Sequence, residues 1–170
     1  MKKAKEKDPN QISLFDSLVD ELSEVTGKSF QIKNDEDVGS KNNKIPIKVD
    51  LSIDKICNEI GFMNLDEGDF KTVLNCAKQV YIGAGHASGK GKGEKAARTA
   101  VVSPFMKMPF SKALRVLIIN TVSPDIEFED IEAAAGLIEN AAHPDANIIF
   151  GAFFCEEMED EIRIDIIAAR

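Results

Sequence analysis

The residues of this sequence best suited to chemistry are an asparagine and two aspartates in one polar segment, residues 64–71. The segment reads Asn-Leu-Asp-Glu-Gly-Asp-Phe-Lys, so Asp66 and Asp69 are three residues apart. Apolar residues follow at helical spacing, which places both aspartates at the N-terminus of an amphipathic helix and points them the same way. They could run a reaction on this chain, but the residues alone favour helix capping, with Asp66 as the N-cap and Asp69 as an acid of the first turn.

The elements that must position this segment begin at residue 45. An extended entry with Pro46 covers 45–51, and a brief helix capped by Ser52 ends at Gly61. After the helix that starts near Asp66, the sequence predicts a strand over 79–83 and a helix over 94–102. It then predicts a largely apolar strand over 114–120, which we expect to be central and buried on both faces.

The C-terminal part continues the alternation of helix and strand. A helix is predicted over 127–142, with an apolar stripe facing the core. Two strands over 147–154 and 162–167 are predicted to pair as a hairpin, with Arg163 and Asp165 pointing outward. This order of elements predicts an α/β (α+β) domain in which the helices pack on one sheet.

Composition indicates one globular domain with a tail. The chain has 170 residues, is 44% hydrophobic and carries a formal charge of −8, which argues against nucleic acid or an anionic membrane as a partner. The three cysteines (Cys57, Cys76 and Cys155) and the lack of a signal-like or membrane-spanning apolar run predict a cytoplasmic protein. His86 and His143 offer no metal-ligand spacing, so we expect no metal site.

Residues 1–44 have the composition of a flexible tail, with a short amphipathic segment over 8–25. Within it, Gln-Ile-Ser-Leu-Phe resembles the linear motif by which bacterial proteins dock on the replication sliding clamp. Gln11, Leu14 and Phe15 would then be its contacts. The same residues suit the first turn of a docking helix, and the sequence favours that simpler interpretation.

The glycine-rich residues 83–93 suggest a phosphate-binding loop, but their spacing does not fit one. A Walker loop needs glycine where Ala84 stands and a hydroxyl where Gly91 stands. A dinucleotide-binding loop would need a third glycine at Ser88. We therefore expect a flexible connection between a strand and a helix, and no cofactor bound by this chain alone.

Motifs along residues 52–170 resemble the C-terminal domain of FtsZ, the bacterial tubulin-like cell-division GTPase. They lie, in order, at residues 64–71, 82–89, 94–98, 103–104, 123–125, 142–151 and 160–163. The resemblance implies a two-layer sandwich with a mixed four-stranded sheet and two or three helices. Residues 45–170 would form this domain.

In that family, the segment matching residues 64–71 is the synergy loop, which inserts into the nucleotide pocket of the next protomer in a filament. The resemblance implies that Asn64, Asp66 and Asp69 act in trans, by positioning the water that attacks the γ-phosphate of GTP held by a partner. Four neighbouring residues would contact that partner: Leu65, Glu67, Gly68 and Lys71. Glu67 and Gly68 replace the apolar and small residues that are usual at these positions of the loop, which can alter its docking.

FtsZ places a GTP-binding domain before this region, and residues 1–44 lack the strand-helix repeat and glycine signature to replace it. We therefore expect a module that does not hydrolyse GTP alone but docks on the nucleotide face of a GTP-bound FtsZ protomer, modulating filament assembly and hydrolysis in cell division. The alternatives are a fragment or half of a split FtsZ GTPase, an adaptor tethered to the sliding clamp, and a self-associating structural protein.

Overall fold

The computed structural model describes residues 56–57, 61–75, 77–103, 106 and 108–170. The chain divides into two compact units, Met1–Asn58 and Glu59–Arg170, and the elements named below lie in the second. The predicted tail over 1–44, its clamp-like residues Gln11, Leu14 and Phe15, the extended entry over 45–51 and the predicted domain boundary all lie outside the described residues.

The described part has an α+β fold with a four-stranded mixed sheet and three helices, so the predicted fold class is confirmed. In chain order the elements are helix α1 (Glu67–Leu74), strand β1 (Val80–Ser88), helix α2 (Lys92–Val101), a 3-10 helix (Phe110–Lys112), strand β2 (Arg115–Val122), helix α3 (Phe128–Ala141), strand β3 (Asn147–Phe154) and strand β4 (Glu161–Ala169).

The strand order is β1-β4-β2-β3, with β2 parallel to β3 and antiparallel to β4. The prediction that β2 is an interior strand is therefore confirmed. The predicted β3–β4 hairpin is wrong, because β2 lies between the two strands. The connection after β3 passes the end of β2, where the Cys155 N–H donates to the Val122 carbonyl over 2.8 Å. The apolar run of β2 indicates burial on both faces, and in the sheet β2 also has a hydrogen-bonded neighbour on each edge, β3 on one and β4 on the other.

The prediction that Arg163 and Asp165 point outward is also wrong, since they are only 1% and 2% exposed. The guanidinium donates from Nε to one carboxylate oxygen of Asp165 over 2.7 Å and from Nη2 to the other over 2.9 Å. This bidentate geometry offsets part of the cost of removing both charges from water. Burial nonetheless raises the pKa of the Asp165 carboxyl.

The two longer helices cover one face of the sheet, and α1 covers the other. Even-numbered strand residues such as Ile118 and Ile164 form one apolar cluster with α2 and α3. In β1 the odd-numbered residues Gly83 and Gly85 face α2, whereas the odd-numbered residues of β2, β3 and β4 point to the opposite face. There α1 lies over β2, β3 and β4 and buries three apolar side chains: Phe70, Val73 and Leu74.

The glycine-rich segment is largely strand and not the flexible connection that the sequence predicted. β1 continues to Ser88 because Gly83 and Gly85 lie directly under α2, where a Cβ on either residue would meet a backbone carbonyl oxygen of that helix. Glycine therefore permits close helix–strand packing here. The turn itself is confined to the residues around Gly89 and Gly91, whose φ angles are +70° and +68°.

Helix α2 begins at Lys92, two residues before its predicted start, and the Lys92 side chain is buried. Its Nζ lies 2.8 Å from Asp160 Oδ1 and 3.3 Å from Asp130 Oδ2. The hydrogen bond that Lys92 Nζ donates to Asp160 is the main cause of the raised pKa of Lys92, so the ammonium stays charged. One buried cation thus connects the start of α2 with α3 and with the turn before β4.

Candidate functional site

Asp66 and Asp69 close the N-terminus of α1 by a reciprocal pair of hydrogen bonds. The Asp69 N–H donates to Asp66 Oδ1, and the Asp66 N–H donates to Asp69 Oδ2, both over 2.9 Å. Asp66 is therefore the N-cap, and the pair forms a capping box. Within the described residues, the second oxygen of each carboxylate makes no hydrogen bond or ion pair. Each carboxylate is fixed by one oxygen and open to a partner at the other.

Asn64 is held in a similar way. Its Oδ1 accepts a hydrogen bond from the Gly61 N–H over 2.8 Å, while its side-chain NH₂ has no partner in the described part of the chain. Asn64 and Asp66 are exposed, and Asp69 is half-buried. The structure therefore brings the three predicted catalytic residues together in one short segment, each with a side chain fixed by a backbone hydrogen bond.

Leu65 attaches this segment to the sheet. It is 2% exposed, and a Cβ built on Gly151 of β3 would stand only 2.5 Å from Leu65 Cγ. The sequence predicts Leu65 as a partner contact, but the structure turns its side chain inward, where it fixes the position of the loop. An apolar residue in a polar loop is typical of both roles, so the sequence alone could not separate them.

A backbone bridge provides a second attachment that the sequence did not reveal. The Ala152 N–H donates to the Met63 carbonyl over 2.9 Å, and the Met63 N–H donates to the Ala152 carbonyl over 3.4 Å. Gly61 allows this approach, because a Cβ there would meet the Ala152 carbonyl oxygen. The residues just before the loop thus pair with the outer edge of β3.

The remaining predicted contacts lie on the first turns of α1. Lys71 Nζ is 2.6 Å from Glu67 Oε1, and both side chains are about half exposed, at 45% and 59%. Such a pair contributes less than about 1 kcal/mol, so it can exchange for contacts with a partner. A Cβ on Gly68 would lie 2.9 Å from Asp66 Oδ1, so glycine keeps the space beside that carboxylate open.

Arg115, which sequence reasoning also missed, holds the far end of α1. Its Nη1 donates to the carbonyl of Asn75, the C-cap of the helix, over 2.6 Å. A cation at this end also suits the helix dipole. The helix that carries Asp66 and Asp69 is therefore fixed at both ends, by the capping box and by the first residue of β2.

No group of three or more His, Cys, Asp or Glu side chains in the described residues could hold a metal ion. No helix formed by these residues is long and apolar enough to cross a membrane.

Comparison with known proteins identifies the family. A family profile described as "FtsZ family, C-terminal domain" matches residues 79–170, which is more than half of the chain. The chain belongs to the FtsZ family. The match covers the whole sheet together with α2 and α3, and the loop at residues 64–71 lies shortly before it.

Two FtsZ proteins show how much of the chain is similar. The cell division protein FtsZ of Mycoplasmopsis pulmonis is 38% identical over 106 residues, which are 62% of this chain and 27% of that protein. Cell division protein FtsZ 1 of Rhizobium meliloti is 36% identical over 109 residues, which are 64% of this chain and 18% of that protein. The chain thus matches these FtsZ proteins over only 18–27% of their length.

Solved structures agree on the fold. An empty FtsZ dimer from M. jannaschii superposes with a TM-score of 0.63 at 24% identity, over 68% of this chain and 34% of that one. TubZ of Bacillus thuringiensis serovar israelensis, in GDP-form protofilaments, gives a TM-score of 0.52 at 13% identity, over 65% and 30%. At these identities the likeness concerns the fold alone, and it confirms the FtsZ and tubulin-like architecture that the sequence motifs implied.

Proposed function

We propose that residues 64–71 form a synergy loop that docks on the nucleotide face of a GTP-bound FtsZ protomer and modulates filament assembly and GTP hydrolysis in cell division. The observation that carries the proposal is the pair of capping-box carboxylates, each bonded through one oxygen and open at the other. Membership of the FtsZ family supports an FtsZ protomer as the partner, and in this proposal that protomer holds the GTP.

The open oxygens of Asp66 and Asp69 suit the orientation of a water molecule. A carboxylate can accept a hydrogen bond from the attacking water and draw its proton, which contributes about 10²–10⁴-fold to such reactions. Phosphoryl transfer depends mainly on positioning and charge placement, and a misplacement of about 1 Å costs about 10²-fold. The capping box supplies that positioning, so capping and trans catalysis use the same geometry.

The surroundings of the loop favour a site completed by another molecule. Two surface grooves of the described residues lie between α2 and α3 and beside the C-terminal end of α3, and no residue of the loop lines either one. The side chains of Asn64, Asp66 and Glu67 are exposed, so they are available for insertion into a groove of a partner.

The charge of the loop sets a condition on docking. Asp66, Glu67 and Asp69 carry negative charges that a bound triphosphate repels, and Lys71 offsets one of them through its pair with Glu67. Docking therefore needs cations on the side of the partner, such as the ions that accompany the nucleotide.

The test mixes the full chain with GTP and full-length FtsZ, using the Mycoplasmopsis pulmonis and Rhizobium meliloti FtsZ 1 proteins. Polymer mass is measured by sedimentation, together with phosphate release. Asp66→Ser retains an N-cap without a carboxylate, and Asp69→Asn retains the acceptor oxygen without its charge. We expect both variants to fold but to lose the effect of the wild-type chain on phosphate release.

Glu132→Gln, which removes an exposed carboxylate from α3, is the matched control and should act like the wild type. A wild-type chain that changed neither polymer mass nor phosphate release with either FtsZ would overturn the proposal.

A second candidate is one half of a split FtsZ GTPase. The chain matches only 27% and 18% of the length of two FtsZ relatives, and this favours the second candidate. Adding a separately expressed nucleotide-binding half should then restore GTP turnover, and failure of the two halves to bind each other would count against it.

A further inference from the structure

Two phenylalanines form an exposed aromatic pair beside the loop. The rings of Phe62 and Phe154 are stacked, with centroids 5.2 Å apart and planes inclined by 22°. They remain 42% and 45% exposed despite this contact. A single exposed aromatic side chain is ordinary on a protein surface, but two rings in contact present a continuous apolar surface.

The backbone on both sides of this pair is fixed. Phe62 precedes Met63, whose two hydrogen bonds with Ala152 tie it to the edge of β3. Phe154 ends β3, and the next residue, Cys155, donates its N–H to Val122. The rings are thus positioned before any partner arrives, which reduces the conformational entropy lost on binding.

The pair also lies within reach of any molecule seated on the loop. Phe62 is two residues before Asn64, so their Cα atoms are at most about 7 Å apart. A stable interface buries about 800 Å² on each partner, a patch roughly 30 Å across. An interface of that size centred on Asn64 and Asp66 therefore extends far enough to include the aromatic pair.

The rings add apolar contact area, which the charged loop lacks. Charged groups such as Asp66 and Glu67 orient a complex and speed its formation, but they contribute less reliably to affinity once they are desolvated. Aromatic side chains in well-packed contacts are among the residues that dominate binding energy.

We infer that Phe62 and Phe154 are an apolar anchor for the same FtsZ protomer that receives the loop, packing against an apolar surface beside its nucleotide site. This inference rests on the function proposed for residues 64–71. It assigns affinity to the aromatic pair and the effect on GTP hydrolysis to the carboxylates, two roles that can be separated by experiment.

The experiment measures the affinity of the full chain for GTP-loaded, full-length Mycoplasmopsis pulmonis and Rhizobium meliloti FtsZ 1. Replacing either ring by serine should weaken binding at least about tenfold, and replacing both should weaken it about 100-fold. At a saturating concentration, the effect on phosphate release per bound chain should stay at the wild-type level. Asp69→Asn should have the opposite pattern: the affinity for FtsZ should change little, whereas the effect of the bound chain on phosphate release should change greatly.

Phe128→Ser is the matched control. This phenylalanine is 57% exposed at the start of α3, a helix on the other face of the sheet from α1, and its replacement should leave the affinity within about twofold. The double variant Phe62→Leu with Phe154→Leu keeps an apolar surface and should bind within about threefold of the wild type. Circular dichroism checks that each variant is folded, and Phe62→Ala, outside the strands, repeats the test with less risk to folding.

The outcomes separate this inference from the proposed function. Failure of the wild-type chain to bind either FtsZ overturns both. Tight binding by the double serine variant overturns the anchor and leaves the proposed loop function standing. An equal loss of FtsZ affinity with Phe128→Ser would also overturn the anchor. So would Phe62 and Phe154 variants that lost self-association of the chain but kept their affinity for FtsZ.

Discussion

Replacing Gly151 by alanine tests whether the sheet holds the loop in place. The new Cβ would stand 2.5 Å from Cγ and Cδ1 of Leu65 and 3.2 Å from its Cδ2. Carbon atoms in contact normally lie about 3.5–4.0 Å apart, so Leu65 or the strand must move by about 1 Å. Because Leu65 is 2% exposed, it cannot move without disturbing the residues around it.

The expected magnitude combines two opposing effects. Forcing an extra methyl group into a packed site costs about 1–3 kcal/mol, whereas replacing glycine by alanine recovers about 0.4–1 kcal/mol through the unfolded state. We expect a net loss of about 1–2 kcal/mol in the free energy of unfolding. The same displacement of the loop should reduce any effect on GTP hydrolysis by about 10²-fold.

Urea unfolding measures the first effect, with Gly136→Ala as the matched control. Gly136 lies in α3, where a Cβ would meet nothing within 4 Å, so alanine there should stabilise the chain by up to about 1 kcal/mol. Leu65→Ala, combined with Gly151→Ala, completes a double-mutant cycle. Since the smaller side chain removes the clash, the double variant should be at least about 1 kcal/mol more stable than additivity predicts.

An unfolding midpoint for Gly151→Ala that matches the wild type would refute this reasoning, as would strict additivity in the cycle. In either case Leu65 would not be packed on Gly151, and the loop would depend on its backbone bridge alone.

Three further predictions concern the buried charges. Lys92→Met should lower the free energy of unfolding by about 2–3 kcal/mol, because it leaves Asp130, whose side chain is only 12% exposed, without its cation. Arg98→Met is the control: it breaks an exposed ion pair and should cost less than about 1 kcal/mol. Equal costs of the two substitutions in urea unfolding would contradict this prediction. Because the folded-state pKa of Lys92 is raised above 10.5, its stabilising effect is complete below pH 10.5 and is lost as the pH rises through the raised pKa. The stability difference between the wild type and Lys92→Met should therefore shrink above pH 10.5, and a difference that stays constant there would count against the ion pairs. Arg163→Met should lower the free energy of unfolding by about 3–5 kcal/mol, because it leaves the Asp165 carboxyl buried without its guanidinium. Adding Asp165→Leu should recover most of that loss. Equal instability of the single and double variants would rule out the ion pair as the cause.

Local patterns predicted the elements well. The helical stripe placed α3 over 127–142, and the structure has it at Phe128–Ala141 with Ile131, Ala134 and Ile138 buried. The apolar run that predicted an interior strand is β2. Such features depend on residues within a few positions of each other, so the sequence displays them directly.

The errors arose where a local pattern has two physical explanations. Alternating charges in β4 are typical of a solvated face, but a bidentate ion pair between Arg163 and Asp165 can be buried with the same alternation. Glycines at Gly83 and Gly85 are typical of a connection, but they also permit a helix to lie directly on a strand. The predicted β3–β4 hairpin was wrong because β2 lies between these two strands in the sheet, although they follow each other in the sequence.

The candidate site divides in the same way. The capping role of Asp66 follows from residues three positions apart and was predicted, whereas the packing of Leu65 on Gly151 and the bond from Arg115 to Asn75 join residues far apart in sequence. The sliding-clamp motif at Gln11–Phe15 stays a prediction, since it lies outside the described residues.

The most direct test of the central claim is the rate of phosphate release by GTP-loaded, full-length FtsZ with the chain bound at saturation. The chain carrying Asp66→Ser and Asp69→Asn should bind FtsZ but leave the rate at its value without any chain, whereas the wild-type chain changes it. If the wild-type and doubly substituted chains gave the same rate at equal occupancy, the two carboxylates would perform no chemistry in trans, and the account would be contradicted.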